Sequence, residues 1–287
     1  MESVISFDAK LESIDLNSLK PLKEIERSII KSYRKYIWVK FIKAIKEYEM
    51  LNKGDKVCVA ISGGKDSLLL AKLFQELHKH SVFEFDLEFI AMDPGYATDV
   101  RKRLEENLAY LKIPATIYDS DVFSVAERIS GDNPCYMCAR MRRGSLYSKA
   151  KEKGCNVLAL GHHFDDVIET TMLNILYAGN FKTMRPKLKA QNFDNMVLIR
   201  PMYLIDEESI IKWTKKAGLE PLDCACTVAA KKTGSKRFEI KELIKDLSPQ
   251  IVNLRENIFR STSNIDLGSC LAWKDKDGNR HSFLDDF

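Results

Sequence analysis

From Val57 to Lys216 the chain alternates short apolar runs with amphipathic stretches, and that alternation leaves few folds open. Val57–Ile61 is a continuous apolar run, as a parallel strand shows when both its faces are buried. Ser67–His78 then sets Leu69, Leu70, Leu73, Phe74 and Leu77 on one helical face. Further strands are expected at Leu87–Met92, Ala115–Tyr118, Asn156–Leu160 and Met196–Ile199. Between and after them, Thr98–Leu111, Tyr136–Lys153, Asp165–Tyr177 and Glu207–Lys216 read as helices. The last of these stops at Gly218, with Pro221 three residues on. Such alternation implies an α/β fold with a mostly parallel sheet, whose ligands sit beyond the carboxyl ends of the strands.

The flanks are patterned differently. Residues 22–50 read as one helix, with Ile25, Ile29, Ile30, Tyr33, Ile37, Phe41, Ile42 and Ile45 at three- and four-residue spacing. Lys31, Arg34, Lys35, Lys40, Lys43 and Lys46 fall on the other face. Residues 1–20 have no period and are expected to be an irregular lead. After Asp223 come a loop rich in Cys and Lys at 224–237, a helix at Phe238–Leu247, and a polar, weakly patterned tail from 260 to 287. No apolar run approaches the roughly 20 residues that span a bilayer. The first ten residues lack the basic and apolar segments of a secretory signal, so the cytoplasm is the expected compartment.

The most informative string is Ser62-Gly63-Gly64-Lys65-Asp66-Ser67, where the first strand ends and the first helix of the alternation begins. A helix N-terminus offers unpaired N–H groups and a positive dipole end, so it attracts phosphate. Gly63 and Gly64 let the backbone approach an anion without a Cβ in the way, Lys65 adds a cation, and Ser62 and Ser67 add hydroxyl donors. Neither GxGxxG nor GxxxxGK[ST] is present here.

A second turn, Gly161-His162-His163-Phe164-Asp165-Asp166, follows the strand at Asn156–Leu160 and so lies on the same sheet edge. Paired carboxylates there can meet Mg²⁺ carried by ATP phosphates or orient a nucleophile, or they can simply cap the following helix. Adjacent histidines at a strand end rarely converge on one metal, and no His metal site is assigned.

The chain has 7 cysteines, an odd number that argues against a disulfide framework. Cys135-Tyr-Met-Cys138 opens a helix rich in arginine, and Cys224-Ala-Cys226 follows almost ninety residues later. On spacing alone, an iron–sulfur cluster, a structural zinc and a redox CxxC all stay open. Cys58 and Cys155 fall in or beside strands and read as small core residues. The formal net charge is only +4, but basic residues crowd Arg140–Lys153, Lys231–Arg237 and the first helix. Three such runs make a segregated positive surface for a phosphate backbone plausible. A base in RNA must also be exposed to be modified, which favours a loop nucleotide.

The string SGGKDS resembles the PP-loop of ATP pyrophosphatases, which grip ATP's pyrophosphate and transfer AMP to a substrate oxygen. YEMLNKGDKVCVAISGGKDS, CYMCARMRRGSLY, LALGHHFDDVIETTMLNILYAG, Arg185–Leu188 and a late cysteine near 224 together resemble the tRNA 2-thiocytidine synthetase family of iron–sulfur tRNA thiolases. The resemblance covers about residues 24–250. It implies a Rossmann-like parallel sheet flanked by helices, placed at 55–223; the pattern of the chain adds an N-terminal helical segment at 1–54 and a C-terminal Cys/Lys loop, helix and polar tail at 224–287. The resemblance also implies a 4Fe-4S cluster held by Cys135, Cys138 and Cys224, with Cys226 as the alternative third ligand. ATP would lie against Ser62, Gly63, Gly64, Lys65, Asp66, Ser67 and Gly161; of the implied catalytic residues, Lys65 would hold the phosphates, and Asp66 with Asp165 or Asp166 would position Mg²⁺ and the base. The implied reaction is 2-thiolation of a pyrimidine in tRNA, cytidine 32 foremost, through an adenylated base. The implied partners are tRNA and a sulfur donor, either a cysteine desulfurase or free sulfide, with a homodimer possible. A persulfide on Cys135 or Cys138 is the alternative sulfur carrier. The rival readings are another adenylating PP-loop enzyme of lysidine or amide-forming type, and a non-catalytic RNA-binding protein with structural zinc.

Overall fold

The computed structural model describes residues 2–5, 7, 19–120, 122, 125, 134–222 and 236–286. These divide into two compact units, one of residues 1–166 with 185–234 and one of 167–184 with 235–287.

The first unit is built on a seven-stranded sheet in the order β1-β4-β3-β2-β5-β7-β6. Its parallel centre comprises β2 (Lys56–Ile61), β3 (Asp86–Asp93), β4 (Ala115–Asp119), β5 (Val157–Ala159) and β7 (Val197–Ile199). Every residue from Val57 to Ile61 is buried, as the unbroken apolar run requires of a strand covered on both faces. Cys58 and Ala60 pack in one cluster with Ile90, Leu158, Tyr147 and Ala150. The period of two turns Val57, Val59 and Ile61 to the other face. Cys155 joins the same cluster as Cys58, which fits the reading of both as core residues.

Helices α3 (Lys65–His80), α4 (Thr98–Tyr110), α5 (Pro134–Glu152) and α7 (Glu207–Ala217) connect or flank these strands. α6 (Phe164–Ala178) begins in the first unit at the β5 turn. The strand order leaves β2 in two directions, to β3 and β4 on one side and to β5 and β7 on the other. The carboxyl ends of β2 and β5 therefore flank a topological switch point, where a crevice opens in folds of this kind.

Two expectations are corrected at the edges, and one strand is added. Residues 1–20 are not wholly irregular: β1 (Glu2–Val4) pairs antiparallel with β4. Residues 22–50 are not one helix but α1 (Leu22–Ile30), a π-helical turn at Arg34–Trp38, and α2 (Val39–Glu47). The cause is the spacing of the buried stripe, Ile25, Ile29, Ile37 and Phe41. Eight residues separate Ile29 from Ile37, nearly one more than two α-helical turns take up, and a wider turn absorbs the excess. β6 (Lys187–Lys189) pairs antiparallel with β7 and was not expected.

The second unit contains α8 (Lys236–Leu247), α9 (Leu254–Ser261) and a hairpin of β8 (Ala272–Lys274) with β9 (Arg280–Ser282). The hairpin corrects the reading of an unpatterned tail. The Asp275 carboxylate accepts the N–H groups of Asp277 and Asn279, each at 2.9 Å, and Gly278 supplies a φ of +90°. Among the described residues, no helix is long and apolar enough to cross a membrane.

Candidate active site

The loop Ser62–Ser67 closes on itself at the end of β2. Ser67 is buried, and its hydroxyl donates to Gly64 O at 2.9 Å while Ser62 N donates to Ser67 Oγ at 3.2 Å. Ser67 thus shapes the loop, whereas the N-cap position of α3 is Gly64, which puts no side-chain cap on the first-turn N–H groups. That is the arrangement that receives an anion at a helix N-terminus. Gly63 has a φ of +80°, and a Cβ there would stand 2.7 Å from Leu222 Cδ1. Leu222 N also donates to Gly63 O at 2.9 Å, which ties the segment after α7 to the loop.

The β5 turn lies directly against this loop. A Cβ on Gly161 would come within 3.2 Å of the Asp66 carbonyl carbon and 3.3 Å of Ser67 N. His163 is buried among three carboxylates: its Nε2 is 3.7 Å from Asp66 Oδ1 and 3.5 Å from Asp166 Oδ2, and its Nδ1 is 3.8 Å from Asp165 Oδ2. The two expected carboxylates of this turn each hold backbone. Asp166 Oδ2 accepts His163 N at 2.9 Å, and Asp165 Oδ2 accepts Glu207 N at 2.7 Å, which ties the turn to the start of α7. His162 instead receives Arg200 Nε at 3.3 Å. Arg200 is buried, and burial together with nearby Arg143 pushes its pKa down to about 10.

Lys65 reaches two carboxylates, Asp66 Oδ2 and Glu207 Oε1, each at 3.2 Å. Burial works against its charge, but Asp66 and Glu207 outweigh that and hold its pKa above the ordinary lysine value. Asp66 is raised, chiefly by burial, against the pull of His163 and Lys65. Among the described residues, Asp66 Oδ1 and His163 Nδ1 are buried without a hydrogen-bond partner. A buried carboxylate oxygen left so is costly, and it suits a cation delivered with a ligand. No three His, Cys, Asp or Glu among the described residues stand in metal-holding geometry. The donor set fits Mg²⁺ that arrives on phosphates and keeps most of its ligands from them and from water.

Sequence reasoning missed three residues here. His163 was assigned no role, and Glu207 carries no signal beyond an acidic first helical turn. Tyr96 is the third: its hydroxyl is 3.5 Å from Ser62 O, on a loop whose Gly95 and Tyr96 N–H groups bond Asp93 Oδ1. The cysteines are placed only in part. Cys135 and Cys138 fall in the first turns of α5, three residues apart and so about one turn, while Cys224 and Cys226 lie outside the described residues. Of the basic runs, Lys231 and Lys232 also lie outside them; Arg237 pairs with Glu169 at 2.9 Å, and Lys149 with Glu2 at 3.0 Å and Glu152 at 2.7 Å.

Asp206 caps α7 by accepting Ser209 N at 2.9 Å and is paired with Lys40 Nζ at 2.9 Å. Burial opposes its ionisation, but Ser209 and Lys40 prevail and bring it down to about 2. A depressed folded pKa stabilises above the unfolded value, and the benefit fades as pH falls through the folded one. Asp206→Ala is therefore expected to cost about 2 kcal/mol at pH 7, with a smaller cost at pH 3, read by urea unfolding at both.

The sheet, its switch point and the loop at the end of β2 define a PP-loop nucleotide-binding protein, and the PP-loop domain family matches residues 37–223. The tRNA-cytidine(32) 2-sulfurtransferase of Pelobacter propionicus is 36% identical over 228 residues, covering 78% of this chain and 83% of that one. The enzyme of the same name from Syntrophotalea carbinolica is 35% identical, covering 78% of this chain and 86% of its own. This chain belongs to the tRNA-cytidine(32) 2-sulfurtransferase family. The fold is also that of the U34-tRNA thiolase NcsA from Methanococcus maripaludis, solved with its 4Fe-4S cluster, at a TM-score of 0.64 and 23% identity over 83% of each chain.

Proposed function

We propose that this protein is an ATP-dependent, AMP-forming sulfurtransferase that replaces O2 of cytidine 32 in tRNA with sulfur. One observation carries the reading: the SGGKDS loop and the GHHFDD turn meet at the switch point of the sheet, in a chain 36% identical to a named cytidine-32 enzyme.

A pyrimidine C2 carbonyl is a poor electrophile, and its oxygen a poor leaving group. Transfer of AMP from ATP to O2 releases pyrophosphate and turns that oxygen into part of a good leaving group. The first-turn N–H groups of α3 hold the phosphates, Gly63 and Gly64 admit them closely, and the Lys65 ammonium balances their charge. Asp66, with its unpartnered Oδ1, would help hold the Mg²⁺ that ATP brings. Asp165 and Asp166 fix the turn that faces the loop and so set where the base can lie. Three thiolates, from Cys135, Cys138 and Cys224, would hold a 4Fe-4S cluster. When bound, the cluster supplies a coordination site for the sulfur to be transferred. Sulfide attacks C2 and AMP leaves with the former O2, giving 2-thiocytidine. The sulfide is supplied free, or from the persulfide of a cysteine desulfurase after two-electron reduction by an external thiol, and the cytoplasm is the place of action.

The test is anaerobic incubation of iron-loaded protein with ATP, Mg²⁺, sulfide and unmodified tRNA, followed by mass spectrometry of the nucleosides. One AMP per 2-thiocytidine at position 32 is the expected result. AMP formation with nitrogen incorporated instead of sulfur would move the chain to the lysidine or amide-forming class. In the same assay Lys65→Ala is expected to slow AMP release about 100-fold while leaving the iron content and cluster absorbance unchanged.

A further inference from the structure

Glu207 has no place in the sequence motifs, yet it is the residue that the fold turns onto the PP-loop lysine. Its Oε1 lies 3.2 Å from Lys65 Nζ, and its side chain is only 16% exposed. An acidic residue in the first turn of a helix suits the dipole, which explains its type but not its burial against Lys65. The position is fixed from both sides. Asp165 Oδ2 takes the Glu207 N–H at 2.7 Å, and Asp206 caps the same turn while paired with Lys40 at 2.9 Å.

An ammonium has three N–H donors. Asp66 Oδ2 and Glu207 Oε1 occupy the directions of two. The third remains to meet an anion at the start of α3. A lone lysine on a flexible four-carbon stem would have to be ordered by its ligand each time, whereas one held by two fixed carboxylates is ordered in advance.

We infer that Glu207 is a positioning residue for Lys65, carrying the register of the GHHFDD turn, through Asp165 and the start of α7, to the group that meets ATP's phosphates. The inference rests on the reading of SGGKDS as the phosphate site. Without the Glu207 contact, Lys65 keeps its charge and its partner Asp66 but loses the second point that fixes its direction.

The test is a double-mutant cycle read by calorimetric titration of the full-length protein with α,β-methylene-ATP and Mg²⁺. Glu207→Gln is expected to weaken binding about fivefold, within the range of coupling between contacting charged groups, and by less than twofold in a Lys65→Ala background. Glu207→Asp, which keeps the charge, is expected to retain more affinity than Glu207→Gln. Equal losses in the two backgrounds, no loss from Glu207→Gln alone, tighter binding, or the reverse order of Asp and Gln would each overturn the inference. The two readings fail separately. If Lys65→Ala alone leaves the titration unchanged, the phosphate site itself is wrong. If Lys65→Ala weakens binding and the cycle is additive, only the role of Glu207 falls.

Discussion

Gly63→Ala is expected to lower AMP formation on tRNA by about 100-fold while the protein stays folded and iron-loaded. Two independent effects act at this position. The φ of +80° is one that an alanine adopts only with strain, about 1–3 kcal/mol. The added Cβ would also stand 2.7 Å from Leu222 Cδ1 and 2.9 Å from Leu104 Cδ1. Those methyl groups can swing, but Leu222 is tethered by its own N–H to Gly63 O at 2.9 Å, so the loop and the segment after α7 move together. The displacement falls on the N–H groups that start α3, where an ångström of error disrupts in-line transfer. Gly154→Ala separates strain from geometry. Its φ is +71°, and nothing lies within 4 Å of the Cβ position. It is expected to lose a similar amount of stability and to keep its AMP-forming rate. Thermal melting and AMP release measured on both variants check this. Equal loss of rate in the two would assign the Gly63 effect to stability alone.

The contrast between these glycines also shows why part of the site could be read from the chain and part could not. Gly161 sits on a turn directly after a strand, and Lys65, Asp66, Asp165 and Asp166 open the helices that follow such turns, so strand–turn–helix order fixes the sheet edge on which they emerge. Their neighbours belong to different turns, and nothing local specifies them. Glu207 looks like any acidic first-turn residue until α7 is placed beside the loop. His163 and His162 are adjacent and alike in sequence, but one is enclosed by three carboxylates and the other meets Arg200. The same division holds for the fold. Long elements with a clear period were legible. Glu2–Val4 was not, because its three residues are all exposed and owe their place to pairing with β4 and to the Glu2 ion pair with Lys149. The break after α1 escaped because the buried stripe continues across it, and only the eight-residue step from Ile29 to Ile37 betrays the wider turn. The hairpin at 272–282 had a usable sign in Asp277-Gly278, a common turn pair, which the polar composition around it obscured.

Cys135→Ser and Cys138→Ser are each expected to remove the iron and with it all 2-thiocytidine formation, while binding of α,β-methylene-ATP changes by less than about twofold. The second half of that expectation follows from the first unit: the phosphate-binding groups are assembled by β2, α3, β5 and α7, none of which carries a cluster ligand. The third ligand is decided by Cys224→Ser and Cys226→Ser made separately. Three thiolates leave one iron open, and a fourth would close it, so only one of this pair can serve in an enzyme that takes up sulfur there. Cys224 leads the pair and follows two residues after Leu222, which is bonded to Gly63. Its loss is expected to match that of Cys135, whereas Cys226→Ser is expected to keep both iron and thiolation. Equal tolerance of both substitutions would remove the ligand from this stretch. Equal loss together with stoichiometric zinc and no iron would instead favour a closed four-thiolate structural site. Cys58→Ala is the control for handling and oxidation, because that thiol is buried in the β-sheet core and belongs to the packing of Cys155 and Leu158, not to the chemistry.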